Sequence, residues 1–280
     1  MRHRELALKA LFDARWQILG FGAALFVMAA VVVVAWPSYR DTLVNYELPP
    51  AVQALLGSDL SIGTAAGFLH AEFFSWTPVL LIVYAITQGT GAVAGEESSG
   101  TADLLLAQPL RRSEVILQKT IAVVIGASAI VAIGFAGFAV TLPFVDMDIA
   151  LTDVAVACVN MLPITLFFFG ASLWLGTVAP ARAHAVGVAT GAVTAAYFAN
   201  TIARAIDANA WLRFASPFYY FGGGEALVRG IDWTHVALLL GSAALFVALA
   251  IRTFDRRDVT MGGATELRFS DIVRRALGTG

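Results

Sequence analysis

Six stretches of the chain run for 19 residues or more without an Asp, Glu, Lys or Arg. They lie between Arg15 and Arg40, Glu72 and Glu96, Lys119 and Asp146, Asp153 and Arg182, Arg182 and Arg204, and Asp232 and Arg252. Their uncharged interiors hold 24, 23, 26, 28, 21 and 19 residues. A bilayer core about 30 Å thick needs roughly 20 helical residues, so each is long enough to cross one. The next longest run, between Asp59 and Glu72, holds 12 residues and is too short. The pattern predicts an all-α integral membrane fold with six transmembrane helices at about 16–37, 72–95, 115–142, 153–179, 183–204 and 232–252. Residues 1–258 then form a single transmembrane domain, and 259–280 form a tail in which Ser270 caps a short basic amphipathic helix.

The polar segments between the runs carry further structure. In "HRELALKALFDAR" (3–15), Glu5, Lys9 and Asp13 share one helical stripe, and Leu8, Leu11 and Phe12 form another. This fits an amphipathic helix lying on the membrane interface before span one. It fits a helical extension of span one equally well, and the interface helix is the expectation adopted. The segment between spans one and two contains "LPPAVQALLG", a short helix started by Pro49-Pro50 and stopped by Gly57, predicted to lie over the outer mouth. The segment "WLRFASPFYYFGGGEALVRG" between spans five and six has interfacial aromatics, a Ser-Pro helix start at Ser216-Pro217 and glycines at 222–224. It predicts a re-entrant or interfacial hairpin, because irregular backbone at membrane depth must be buried in protein.

Charge orients the helices. With the N-terminus inside, the inner segments carry fourteen Lys and Arg residues, and the outer ones carry only Arg40, Arg204, Arg213 and Arg229. The positive-inside bias therefore predicts cytoplasmic termini for a multi-pass protein of the cell membrane. Overall composition agrees, with 59% hydrophobic and 14% charged residues where soluble domains hold about a quarter charged. A net charge of −2 gives no reason to expect nucleic acid as a partner, and the single Cys158 rules out an intrachain disulfide.

Catalytic chemistry is thinly represented. The sequence has no HExxH, no GxxxxGK[ST] and no GxSxG. His70 and Glu72, at i and i+2, form a close His–acid pair on an outer helix end, where a solvated terminus is the plain alternative to a metal role. Asp146, Asp148 and Asp153 form an acidic outer loop. No acid or base sits at mid-depth in a span, which argues against proton-coupled or sodium-coupled transport and leaves any transport work to an outside energy source.

The inner loop between spans two and three concentrates charge around a leucine run: "GEESSGTADLLLAQPLRRSEVILQK" (95–119). Glu96, Gly100, Thr101, Leu105, Leu106, Pro109, Arg112, Glu114 and Lys119 fall in the pattern E-x-x-x-G-T-x-x-x-L-L-x-x-P-x-x-R-x-E followed by a lysine. In this the chain resembles the permease subunits of type-2 class ABC transporters. Gln118 departs from the glycine usual before that lysine. "SPF" (216–218) and "FDRRDV" (254–259) are similar to that family's last outer loop and its ending after span six. The resemblance implies a cytoplasmic coupling helix between spans two and three, two permease subunits per transporter, and a separate ABC ATPase in two copies. ATP and Mg would then reside on the partner, with no cofactor in this chain. The coupling residues implied are Glu96, Glu97, Gly100, Thr101, Leu104, Leu105, Pro109 and Arg112. Export is the direction the family suggests, without naming a substrate.

Span five repeats small residues every four positions: Ala183, Gly187, Gly191, Ala195 and Ala199. Such a stripe lets helix backbones approach closely in lipid. It fits a subunit interface, in the simplest case between two copies of this chain, and fits packing inside one subunit equally. A membrane enzyme and a non-catalytic scaffold stand as the alternatives to a transporter subunit.

Overall fold

The structure is a computed structural model that describes residues 3–43, 61–92, 112–205 and 213–256. Among these there is no strand, and six helical segments are long and apolar enough to cross a membrane. The loop residues 93–111, the short helix expected in 44–60 and the tail at 259–280 lie outside the described residues.

Span one is a single helix, His3–Leu43, of 41 residues. At about 1.5 Å per residue it is roughly 60 Å long, twice the hydrocarbon thickness. The helix expected over residues 3–15 is present, and it is continuous with span one and not a separate element. No Gly or Pro interrupts 3–19, and the polar stripe of Glu5, Lys9 and Asp13 is compatible with an unbroken helix. At its other end the helix passes the boundary expected at 37, carrying Pro37 inside it. Proline removes one backbone donor. The turn beyond it is held by Trp36 and Tyr39 against Phe68, with ring centroids at 5.2 and 6.1 Å.

Spans two and four are both interrupted. Span two comprises Ala65–Leu69, a π-turn His70–Phe74, and Thr77–Gly91. In the π-turn Ser75 N–H donates to the His70 carbonyl at 2.9 Å, an i to i+5 bond that admits one extra residue. Pro78 then opens the half nearer the 93–111 loop, where its missing donor is not needed. Span four is split at Asn160 into Leu151–Val159 and Met161–Val178. Pro163, which lacks an N–H, leaves the Val159 carbonyl without its helical donor just there. The two breaks touch, with the Thr77 hydroxyl 3.4 Å from the Met161 sulfur. Span three runs Arg112–Thr141, span five Arg182–Ala205 and span six Trp233–Arg256.

Without a hydrophobic drive between helices in lipid, close backbone contact supplies much of the packing energy. The glycines show where that contact is. A Cβ on Gly137 of span three would lie 2.5 Å from the Phe26 carbonyl of span one, and one on Gly134 would lie 2.9 Å from Leu25 Cβ. Gly89 of span two meets the Phe169 carbonyl of span four at 2.8 Å, and Gly170 of span four meets the Ala243 carbonyl of span six at 2.8 Å. The pairs one–three, two–four and four–six thus form the bundle, with fully buried Phe73, Phe74 and Phe138 at the centre. Spans two and four are the most enclosed, and spans five and six the least.

Candidate functional site

At the end of the bundle where spans two and three face the charged loop, a cavity of about 420 Å³ lies between spans one, two, three and five. The last carbonyls of a helix have no partner within it and favour positive charge. Lys119 serves that need directly, and Arg182 reaches a carbonyl one turn earlier in the helix. Lys119 Nζ of span three donates to the Ala92 carbonyl at 2.6 Å, just past the last turn of span two. Arg182 Nη2, from the first turn of span five, donates to the Thr87 carbonyl at 3.4 Å. The Gln88 side chain donates to Gln17 Oε1 at 2.7 Å and links span two to span one. The loop-side terminus of span two is thereby tied to three other spans by side chains.

Glu96, Glu97, Gly100, Thr101, Leu104, Leu105 and Pro109 lie outside the described residues. Arg112 is the first residue of the span three helix, and Glu114 falls in its first turn, where a carboxylate suits the helix dipole. Arg182 was legible in the sequence only as an orienting charge. The available signal was its position as the lone Lys or Arg dividing two of the six uncharged runs.

The span five stripe faces away from the rest of the chain. Ala183, Gly187, Gly191 and Ala195 are exposed, and a Cβ on either glycine would meet nothing within 4 Å. Of the two readings left open for this stripe, close packing inside the subunit does not occur at Gly187 or Gly191 among the described residues.

At the opposite end, His70 departs from the solvated terminus its sequence position suggested. It is only 3% exposed, held in the π-turn of span two, while Glu72 points outward. The imidazole packs on the glycine hairpin after span five. There Ser216 caps Pro217–Phe221, Gly222 and Gly223 adopt positive φ of 66° and 55°, and the short helix Ala226–Arg229 follows. The Gly224 N–H donates to His70 Nδ1 at 2.7 Å. Asn160, at the break of span four, donates from Nδ2 to the Phe221 carbonyl at 2.9 Å. Asn200 of span five is buried with its Oδ1 unpaired among the described residues, and His184 is exposed. No cluster of three metal-ligating side chains occurs among the described residues. Asp146 lies instead 3.8 Å from Arg40.

A bundle of six membrane-crossing helices with a charged loop between spans two and three is thus joined to a family match. A family model described as ABC-2 family transporter protein matches residues 13–259. This chain belongs to the ABC-2 transporter family. The match takes in all six spans, the loop and the hairpin. No curated protein matches the chain. As an ABC-2 membrane component it is a permease, a transporter subunit, and its family partners an ABC ATPase.

Proposed function

We propose that this ABC-2 permease is an exporter subunit, driven by a separate ATPase that docks on the 95–119 loop, and that it works as a dimer of this chain. The observation that carries the coupling is the tie at the loop-side end of span two, where Lys119 holds the Ala92 carbonyl and Arg182 the Thr87 carbonyl. The loop leaves from this end of span two and enters span three at Arg112. A displacement of the loop therefore acts on spans two, three and five together. In this reading Glu96, Glu97 and Arg112 supply charge to the ATPase, and Thr101, Leu104 and Leu105 supply a docking face. Gly100 and Pro109 delimit the docking helix. ATP and Mg act on the partner.

The dimer reading rests on the outward-facing stripe of Gly187, Gly191 and Ala195, which offers a second copy close backbone approach. The coupling is tested with Leu105→Asp and Glu96→Ala in the complex reconstituted in lipid. An unpaired carboxylate buried at a docking face costs several kcal/mol. Leu105→Asp should abolish ATPase binding with the spans still inserted, and Glu96→Ala should keep binding while weakening ATP-driven transport. Unchanged binding and turnover for Leu105→Asp would reduce the loop to a connector.

A further inference from the structure

We propose that His70 and Asn160 are positioning residues that latch the hairpin between spans five and six onto the breaks of spans two and four, so that this mouth of the permease opens when the latch parts. Three features of the geometry point to it. The hairpin is anchored to span five, where its Ser216 hydroxyl donates to the Ala196 carbonyl at 2.7 Å and Phe218 packs on Tyr197 with centroids 5.5 Å apart, and its rings also pack on Phe168 of span four and His235 of span six. On its other side the polar contacts in the described structure are two, and each goes to a place where a spanning helix is interrupted. His70 sits in the π-turn of span two, and Asn160 at the split of span four.

The second feature is chemical fit. A backbone N–H can only donate, so His70 Nδ1 must be the unprotonated nitrogen that accepts from Gly224. An amide side chain is the complementary choice at Asn160, whose Nδ2 donates to a carbonyl at the end of the short helix Pro217–Phe221, where acceptors are left over. The third is steric. A Cβ on Gly223 would lie 2.5 Å from His70 Cε1, and one on Gly224 would lie 2.7 Å from His70 Cβ. The glycine run is thus shaped to this imidazole.

The two breaks meet at the Thr77–Met161 contact. A shift of the loop-side half of span two, Thr77–Gly91, is therefore delivered at the level where both latch residues are held. Helix interruptions that are held by side chains, and not by the helical ladder, are the natural place for such a shift to be absorbed. The role in transport rests on the proposed function above; the latch does not.

The test is thiol labelling of the full chain in nanodiscs, with both faces open to a water-soluble maleimide. The buried native thiol is removed as Cys158→Ala, and one reporter is introduced. Leu227→Cys reports from a buried site in the hairpin, and Val228→Cys, 61% exposed in the parent, reports the freely accessible rate. His70→Leu and Asn160→Leu each delete one hydrogen bond to the hairpin at nearly constant shape. Each should speed labelling at 227 roughly two- to tenfold, the population change one net hydrogen bond commands, and leave 228 unchanged. His70→Asn, whose Oδ1 takes the place of Nδ1, should restore the slow rate. Unchanged labelling at 227 in both leucine variants, or failure of His70→Asn to restore it, would overturn the latch. With the ATPase present, ATP should accelerate labelling at 227 in the parent. A latch response without any ATP effect would leave the latch standing and overturn the coupling reading alone.

Discussion

Lys119 and Arg182 illustrate how single residues are used here. Each is a charge at the edge of a greasy helix, and each spends its donors on the carbonyls at the end of span two. Lys119→Met should cost about 0.5–1.5 kcal/mol of stability through the lost hydrogen bond, visible as a lower thermal midpoint in detergent. It should also loosen the response of span three to the ATPase. At the start of span six, Asp232 accepts from the backbone N–H groups of Thr234 and His235 at 2.9 and 3.2 Å. The His235 N–H bond above all holds its carboxyl below its ordinary value of 3.8. A lowered folded-state value means that this cap stabilises above the ordinary value and is lost as pH falls through the lowered one. Asp232→Asn, an equally good cap without a charge, should remove that part of the acid sensitivity in melts recorded at successive pH values.

Among the elements, the glycines fall into two groups with opposite predicted phenotypes. Gly137 and Gly89 touch the backbone of another span, so Gly137→Ala forces a carbon against the Phe26 carbonyl. Overpacking of that kind costs about 1–3 kcal/mol and should lower the yield of folded protein. Gly187 and Gly191 have open space around them among the described residues. The double variant Gly187→Leu/Gly191→Leu should therefore fold and insert normally but fail to pair, read as a monomer by cross-linking in membranes. A pair that persists would place the stripe against lipid. The same contrast explains why spacing alone did not separate the two groups: a helix backbone approached closely and one left bare are written with the same small residues.

For the whole molecule, a core of spans two and four carries pairs one–three and four–six, and span five is attached chiefly through spans four and two. Both ends are tied by polar contacts to span two: the loop-side end through Lys119, Arg182 and Gln88, the hairpin end through His70. The arrangement requires the 112 and 229 ends of their helices to lie on opposite faces of the membrane. Reporter fusions after Arg112 and after Arg229 should accordingly show opposite sidedness, and the same sidedness for both would contradict six crossings.

The number and approximate place of the spans were already set by the uncharged runs, because expelling charge from hydrocarbon is a local, additive demand on each segment. The pattern of Glu96, Gly100, Thr101 and Pro109 carried the resemblance to the family that the match over residues 13–259 then showed. What depends on which surfaces meet was not legible. Residues 3–15 satisfied the pattern of an interface helix and of a longer span one, and only the continuous backbone to Leu43 distinguished them. His70 looked like a wet helix end because its partner, Gly224, is 154 positions away in the chain. Gly187 and Gly137 differ in nothing that a local pattern records. Local hydrophobicity determines where a chain enters and leaves the membrane, whereas tertiary packing alone decides which faces then touch.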